Sequence, residues 1–197
     1  MRNNAAVFFD RDGVLIEDTH LPSHIGDIKY IDGAARVLTT LKRRGFKIIL
    51  VTNQTVVSRG ILSLEAAMDL NSQILDNICS PQKGDELFDG IYLCPFHPNA
   101  QIDEFRLDSP LRKPRPGMLF KAQQDLGIEL TRSYLVGDRI SDIIAGNLAG
   151  CKTVWLKTAK ANEALIKTEL EIDEADKKPD FEINQLEELL ACVGGGE

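Results

Sequence analysis

Ala5-Ala6-Val7-Phe8-Phe9-Asp10-Arg11-Asp12-Gly13 is the stretch that decides the fold. Five consecutive apolar residues stopped by a polar turn describe a strand buried on both faces, since a strand with one wet face would alternate. The same unit recurs along the chain. Phe46 to Val51 ends in Thr52-Asn53, and Ile91-Tyr92-Leu93 is a third strand. Tyr134-Leu135-Val136 ends in Gly137-Asp138, Thr153 to Leu156 is a fifth strand, and Asp180 to Ile183 supplies a short last one. Helical patterns lie between them. Asp32-Gly33 opens one that carries Val37, Leu38 and Leu41 on a single face and ends in Lys42-Arg43-Arg44-Gly45. Ser63 caps another that reaches Cys79, and Pro116 begins one that reaches Gly127. A helix follows Asp138 to Gly150, and Asn184 caps a last one over 185–192. Residues 95–115 read as a long loop, 159–178 as an exposed helix or charged surface insertion, and 194–197 as a disordered tail.

Strand alternating with helix implies an α/β fold: a doubly wound, mostly parallel, Rossmann-like sheet with helices on both faces, formed as one domain over 1–193. In such sheets ligands bind outside the carboxyl ends of the strands. The chain has 197 residues and a net charge of −7, which disfavours nucleic acid or an anionic membrane as partner. No apolar run approaches the ~20 residues that span a bilayer, and the apolar start is too short for a secretory signal. A cytoplasmic monomer is the expectation. Cys79, Cys94, Cys151 and Cys192 form no close pair and read as reduced, mostly buried thiols.

The candidates for chemistry fall at strand ends. Where extended geometry continues, Asp10 and Asp12 share one space, and their repulsion calls for a cation. Mg²⁺ suits an all-oxygen site. One carboxylate is then free to attack phosphorus and the other to move a proton; the alternative is a plain polar turn. Thr52 and Asn53 offer a hydroxyl and main-chain N–H groups for phosphoryl oxygens, or else a capping turn. Lys113 is placed to neutralise Asp10 and a phosphoryl group, and Arg112 to grip a second anion, unless the cluster is a solvated basic loop. Asp138 reads as a metal ligand or a helix cap, and Asp142, one turn later, as a group behind it that orients Lys113 or a metal-bound water.

Taken together, Asp10-Arg11-Asp12-Gly13-Val14, Thr52-Asn53-Gln54 with Arg59-Gly60, Arg112-Lys113-Pro114 with Pro116-Gly117-Met118, and Gly137-Asp138 with Asp142 resemble the haloacid dehalogenase superfamily of phosphatases. Within it the pattern is similar to the heptose bisphosphate phosphatase branch, a neighbour of the histidinol-phosphate phosphatases. The resemblance implies Asp10 as nucleophile, Asp12 as general acid and base, and Thr52 and Lys113 on the transferring phosphoryl group. It implies Mg²⁺ on Asp10, Asp138 and the main-chain carbonyl of Asp12. Asn53 and Arg112 would contact substrate, Arg112 at a distal phosphate, with Arg59 nearby. It also implies little or no cap domain, its place taken by loops 17–30, 54–60 and 95–112.

Two departures stand out. The branch carries a structural zinc on a Cys-x-His pair and a later Cys-x-Cys. Here Cys94 is kept, Phe96 stands where the histidine would, and Leu107 to Leu111 contains no thiol. A closed zinc site needs four ligands, so no zinc is expected, and Phe96, Phe105 and the prolines are left to hold the loop. Val56 replaces a glycine and would stiffen a substrate-facing loop. The implied activity is removal of a phosphate from a small sugar phosphate, with histidinol phosphate as the other small-metabolite substrate. A catalytically weak phosphosugar-binding protein and a nucleic-acid 3′-phosphatase are the alternatives from other classes, and the acidic charge opposes the last.

Overall fold

A computed structural model describes residues 4–18, 22–79, 87–158 and 170–194. Six strands form one sheet: β1 (Ala6–Phe9), β2 (Lys47–Asn53), β3 (Gly90–Cys94), β4 (Tyr134–Gly137), β5 (Lys152–Leu156) and β6 (Phe181–Ile183). Their order is β3-β2-β1-β4-β5-β6, and every pairing is parallel. From β1 the chain first builds outward through β2 and β3. It then crosses back to place β4 on the other flank of β1. The order therefore reverses between β1 and β4, and a crevice opens beyond their carboxyl ends.

Side-chain alternation divides the core into two layers. Val7, Phe9, Ile48, Leu50 and Val136 face one side, where α1 (Ala34–Arg43) and α3 (Leu64–Cys79) cover them with Val37, Leu38, Leu41 and Ile74. Ala6, Phe8, Ile49, Val51 and Leu135 face the other side, covered by Met118, Leu119 and Ala122 of α4 (Gly117–Leu126) and by Ala145 and Ala149 of α5 (Ile140–Ala149). Both faces of β1 are dry, which is why its sequence is a continuous apolar run.

The expected elements need five adjustments, the smallest being that Pro116 caps α4 instead of beginning it. The Asp32-Gly33 helix starts at Ala34, because Gly33 adopts a left-handed conformation (φ 79°) outside the helix. Residues 54–60 are not an open loop: Thr55–Ser58 form a helical turn, α2. The helix over 185–192 splits into a 3₁₀ turn at Leu186–Glu188 and a short α6 at Leu189–Cys192. A segment so short has little helical stability of its own, and burial of Leu186, Leu189 and Val193 dictates its path. The charged region 159–178 contains a 3₁₀ turn at Glu174–Lys177, while 159–169 and 195–197 lie outside the described residues. Ser63 does cap α3, its Oγ accepting the Ala66 N–H at 3.0 Å. Cys94 and Cys151 are buried free thiols and Cys192 is a half-buried one. Among the described residues no helix is long and apolar enough to cross a membrane.

Candidate active site

Asp10 follows β1 directly, and its N–H donates to the Val136 carbonyl at 3.0 Å, which ties the carboxyl ends of β1 and β4 together. Asp138 directly follows β4. Lys113 comes from the 95–115 segment and is buried. Its Nζ lies 2.9 Å from Asp10 Oδ1, 2.6 Å from Asp142 Oδ1 and 2.9 Å from the Val51 carbonyl. One ammonium thus joins β2, the turn after β1 and the first turn of α5. Asp10, Asp138 and Asp142 each offer a ligand oxygen, and these oxygens all lie within 4.8 Å of one another. Two glycines allow the approach. A Cβ on Gly13, which has φ +81°, would lie 2.0 Å from Asp138 Oδ2, and one on Gly137 would lie 2.2 Å from the Asp142 Cβ.

Burial first, and then neighbouring charge, explain the titration of the cluster. Burial, with Asp10 and Asp142 close by, pushes Asp138 from 3.8 up to about 8. Burial also raises Asp142 against the pull of Lys113. For Lys113 burial opposes the charge, but Asp10 and Asp142 outweigh it and hold the ammonium above its ordinary value. Two cations, Lys113 and the Arg139 guanidinium 3.9 Å from Asp138 Oδ1, face three carboxyl groups, so the cluster with all three ionised is net negative and would repel a phosphate ester. Among the described residues Asp138 Oδ1, buried and 3.9 Å from Arg139 Nε, accepts no hydrogen bond. An orphaned, buried carboxylate oxygen beside two other carboxylates fits a hard divalent cation. Asp142 is the least available of the three as a ligand. Its Oδ2 accepts the Arg139 N–H at 3.1 Å while Oδ1 sits on Lys113. Asp138 is not the helix cap, because that position belongs to Arg139.

The other candidates are placed differently from the simple expectation. Asp12 does not merely share a space with Asp10: both of its oxygens accept from the Arg11 guanidinium at 2.9 Å. Burial raises Asp12 above its ordinary value, Arg11 opposes the rise, and Asp10 adds to it. Thr52 is fully buried, and its Oγ1 accepts from Gln54 Nε2 at 2.7 Å, which leaves the hydroxyl proton free to donate. Asn53, expected to face substrate, spends its amide on Lys113. Its Nδ2 donates to the Lys113 carbonyl and its Oδ1 accepts the Lys113 N–H, both at 3.1 Å. Asn53 therefore acts as a clamp that fixes the main chain carrying the lysine. Arg112 is buried, with Nη1 donating to the Phe96 carbonyl at 2.9 Å and Nε without a hydrogen-bond partner among the described residues. Arg59 ends α2 and is exposed. Val56 does not face the crevice; it packs with Val57 and Ala67 in a small core between α2 and α3.

Four participants were not singled out from the sequence. Arg11 holds Asp12, and Asn71 holds Arg11. Arg139 bonds Asp18 Oδ2 at 2.8 Å beside Asp138. Trp155 donates its indole N–H to the Asp138 carbonyl at 3.2 Å. Position next to a motif aspartate was the available signal for Arg11 and Arg139. Nothing local marks Asn71 or Trp155.

Known proteins resemble this chain in sequence and in fold. Residues 7–83 match the model of the haloacid dehalogenase-like hydrolases, and residues 110–189 match that of the HAD-hydrolase-like proteins. The D-glycero-β-D-manno-heptose-1,7-bisphosphate 7-phosphatase of Photorhabdus laumondii is 35% identical over 96% of this chain and 95% of its own length. The enzyme of the same name from Haemophilus ducreyi is 37% identical over 95% and 97%. A solved structure of D,D-heptose 1,7-bisphosphate phosphatase from B. bronchiseptica, complexed with magnesium and phosphate, superposes with a TM-score of 0.74 at 22% identity, covering 95% of this chain and 98% of that one.

Proposed function

The chain belongs to the haloacid dehalogenase-like hydrolases, in the family of the D-glycero-β-D-manno-heptose-1,7-bisphosphate 7-phosphatases, and we propose that it removes the 7-phosphate of that sugar bisphosphate through an aspartyl-phosphate on Asp10. The observation that carries this reading is the Lys113 ammonium seated between Asp10 and Asp142, with Asp138 alongside. Lys113 Nζ, 2.9 Å from Asp10 Oδ1, fixes the orientation of the Asp10 side chain. An oxygen of Asp10 forms a bond to phosphorus as the ester oxygen departs, and Asp12 gives that oxygen its proton. Asp12 then takes a proton from water as the water oxygen bonds to phosphorus and the bond to Asp10 breaks. Thr52 donates its hydroxyl, and Lys113 its charge, to the phosphoryl oxygens. Asp10, Asp138 and the Asp12 carbonyl would hold Mg²⁺, which supplies positive charge to a pocket otherwise too acidic for a phosphate ester.

Arg112, with an unpartnered buried Nε, and the exposed Arg59 supply cations for the distal phosphate, and the net charge of −7 favours a small-molecule partner over nucleic acid. Phosphate release from the heptose bisphosphate should exceed that from histidinol phosphate by at least about tenfold, the worth of one charged hydrogen-bonding partner. Faster turnover of histidinol phosphate would reverse the assignment. The same reading expects no structural zinc. The Phe96 and Phe105 rings pack with centroids 6.0 Å apart, and His97 Nδ1 accepts the Asn99 N–H. One equivalent of zinc in elemental analysis of the purified chain would refute this.

A pH dependence follows from Asp138. Its carboxyl titrates near 3.8 in the unfolded chain and at about 8 in the metal-free fold. Between those values the folded chain holds a proton that the unfolded chain has lost, so metal-free stability falls as pH rises across the window. Mg²⁺ requires the carboxylate, so the stabilisation it gives should grow over the same range. The rise in melting temperature on adding Mg²⁺ should be several degrees larger at about pH 8 than at about pH 5. An equal rise at both would count against Asp138 as a ligand.

A further inference from the structure

Arg11 is among the bulkiest side chains that the fold buries completely, and the chemistry above gives it no task. A buried guanidinium needs partners for its donors and for its charge. Asp12 supplies most of them: Oδ1 accepts from Nε at 3.2 Å and from Nη2 at 2.9 Å, and Oδ2 accepts from Nη2 at 2.9 Å. The remaining direction is fixed from far away. Nη1 donates at 2.8 Å to Oδ1 of Asn71, a fully buried residue in α3. The Asn71 amide cannot flip without loss, because its Nδ2 donates to the Ala67 carbonyl at 2.9 Å in the preceding turn. Asn71 is thus a rigid post on a helix, and it turns a flexible arginine into a fixed plane.

That plane has a consequence for Asp12. Oδ1 accepts two hydrogen bonds and Oδ2 one, so among the described residues a single lone-pair position stays open, on Oδ2. A proton carried by Asp12 sits there. We propose that Asn71 is a positioning residue: by fixing the Arg11 guanidinium it sets the direction from which Asp12 Oδ2 presents its proton to the leaving oxygen. The inference rests on the general acid and base role given to Asp12 above. In the first half-reaction the Asp10 oxygen bonds to phosphorus, the bond from phosphorus to the leaving oxygen breaks, and the electron pair left on that oxygen takes the Oδ2 proton. In the second, water replaces Asp10 on phosphorus and its proton returns to Oδ2.

A merely structural role for Asn71 would slow every substrate alike, whereas a misdirected acid slows only those whose leaving group needs a proton. The test measures leaving-group release with enzyme in excess, so that only the first half-reaction is observed. It compares a sugar phosphate, which departs as an alkoxide, with nitrophenyl phosphate, whose phenolate leaves unassisted. Asn71→Ala should slow the sugar phosphate by about 10- to 100-fold, as expected for a misplaced catalytic group, and nitrophenyl phosphate by no more than about threefold. If circular dichroism shows Asn71→Ala to be unfolded, the comparison is made with Asn71→Ser, which keeps a short oxygen and should show the same ordering. Equal slowing of both substrates, or of neither, overturns the inference. Asp12→Asn is the reference. If it shows leaving-group dependence and Asn71→Ala does not, the positioning role fails alone. If Asp12→Asn shows none, the role given to Asp12 fails first.

Discussion

Asp10→Asn should lower kcat by at least about 10⁴-fold, in line with removal of a nucleophile that works as part of a unit. The fold should survive. Lys113 would keep Asp142 at 2.6 Å and the Val51 carbonyl at 2.9 Å, so its charge stays compensated. The Asp10 charge is also one of the reasons that Asp138 is pushed up to about 8. Removing it relieves repulsion inside an acidic cluster. The metal-free variant should therefore melt no lower than the wild type, while the rise given by Mg²⁺ shrinks because a ligand has gone. Thermal unfolding with and without Mg²⁺ checks both statements, and a steady-state assay checks the rate. A variant that keeps a tenth of the activity would remove Asp10 from the centre of the reaction.

Lys113→Met should damage stability and rate together, unlike the change at Asp10. Lys113 is buried between two carboxylates that, among the described residues, have no other cation so close. Removing one member of a buried ion pair leaves an uncompensated charge and costs about 3–5 kcal/mol. Protonation of Asp142, which burial already favours, will recover part of that, so about 3 kcal/mol is the expected loss. For a chain of this size that is a fall in melting temperature of roughly 6–12 °C. Measured well below the new melting point, kcat should still fall by about 10²–10³-fold, since a charge aimed at the phosphoryl oxygens is lost. A stability loss with an intact rate would make Lys113 a purely structural cation.

The strands were legible because a parallel sheet buried on both sides leaves continuous apolar runs, and Ala6–Phe9 is an undiluted one. The crevice was legible for a related reason: Asp10, Asn53 and Asp138 end their runs abruptly, and strand ends at a reversal of strand order converge. The convergence of Lys113 was not visible in the periodicity of its own segment. It followed from the chemistry that an acidic pocket demands. What stayed hidden depends on long-range contact between ordinary residues. The resemblance implies a substrate contact for Asn53, but its pairing with the Lys113 main chain, 60 residues away, has no local signal. Asn71 sits in an amphipathic helix, and only the third dimension brings it to Arg11. An Asn184 cap implies a helix over 185–192, yet so short a segment follows burial instead of propensity and splits into a 3₁₀ turn and a short helix.

The central claim is that Asp10 carries the phosphoryl group in transit, and acid quenching during turnover tests it most directly. Mixing the chain with substrate and Mg²⁺, stopping within the first turnover and digesting at low pH preserves an acyl phosphate for mass spectrometry. The peptide containing Asp10 should gain the mass of one phosphoryl group, and the gain should vanish in Asp10→Asn. Rapid turnover with that peptide unmodified at every time point, or the phosphoryl group on a different residue, would contradict the account.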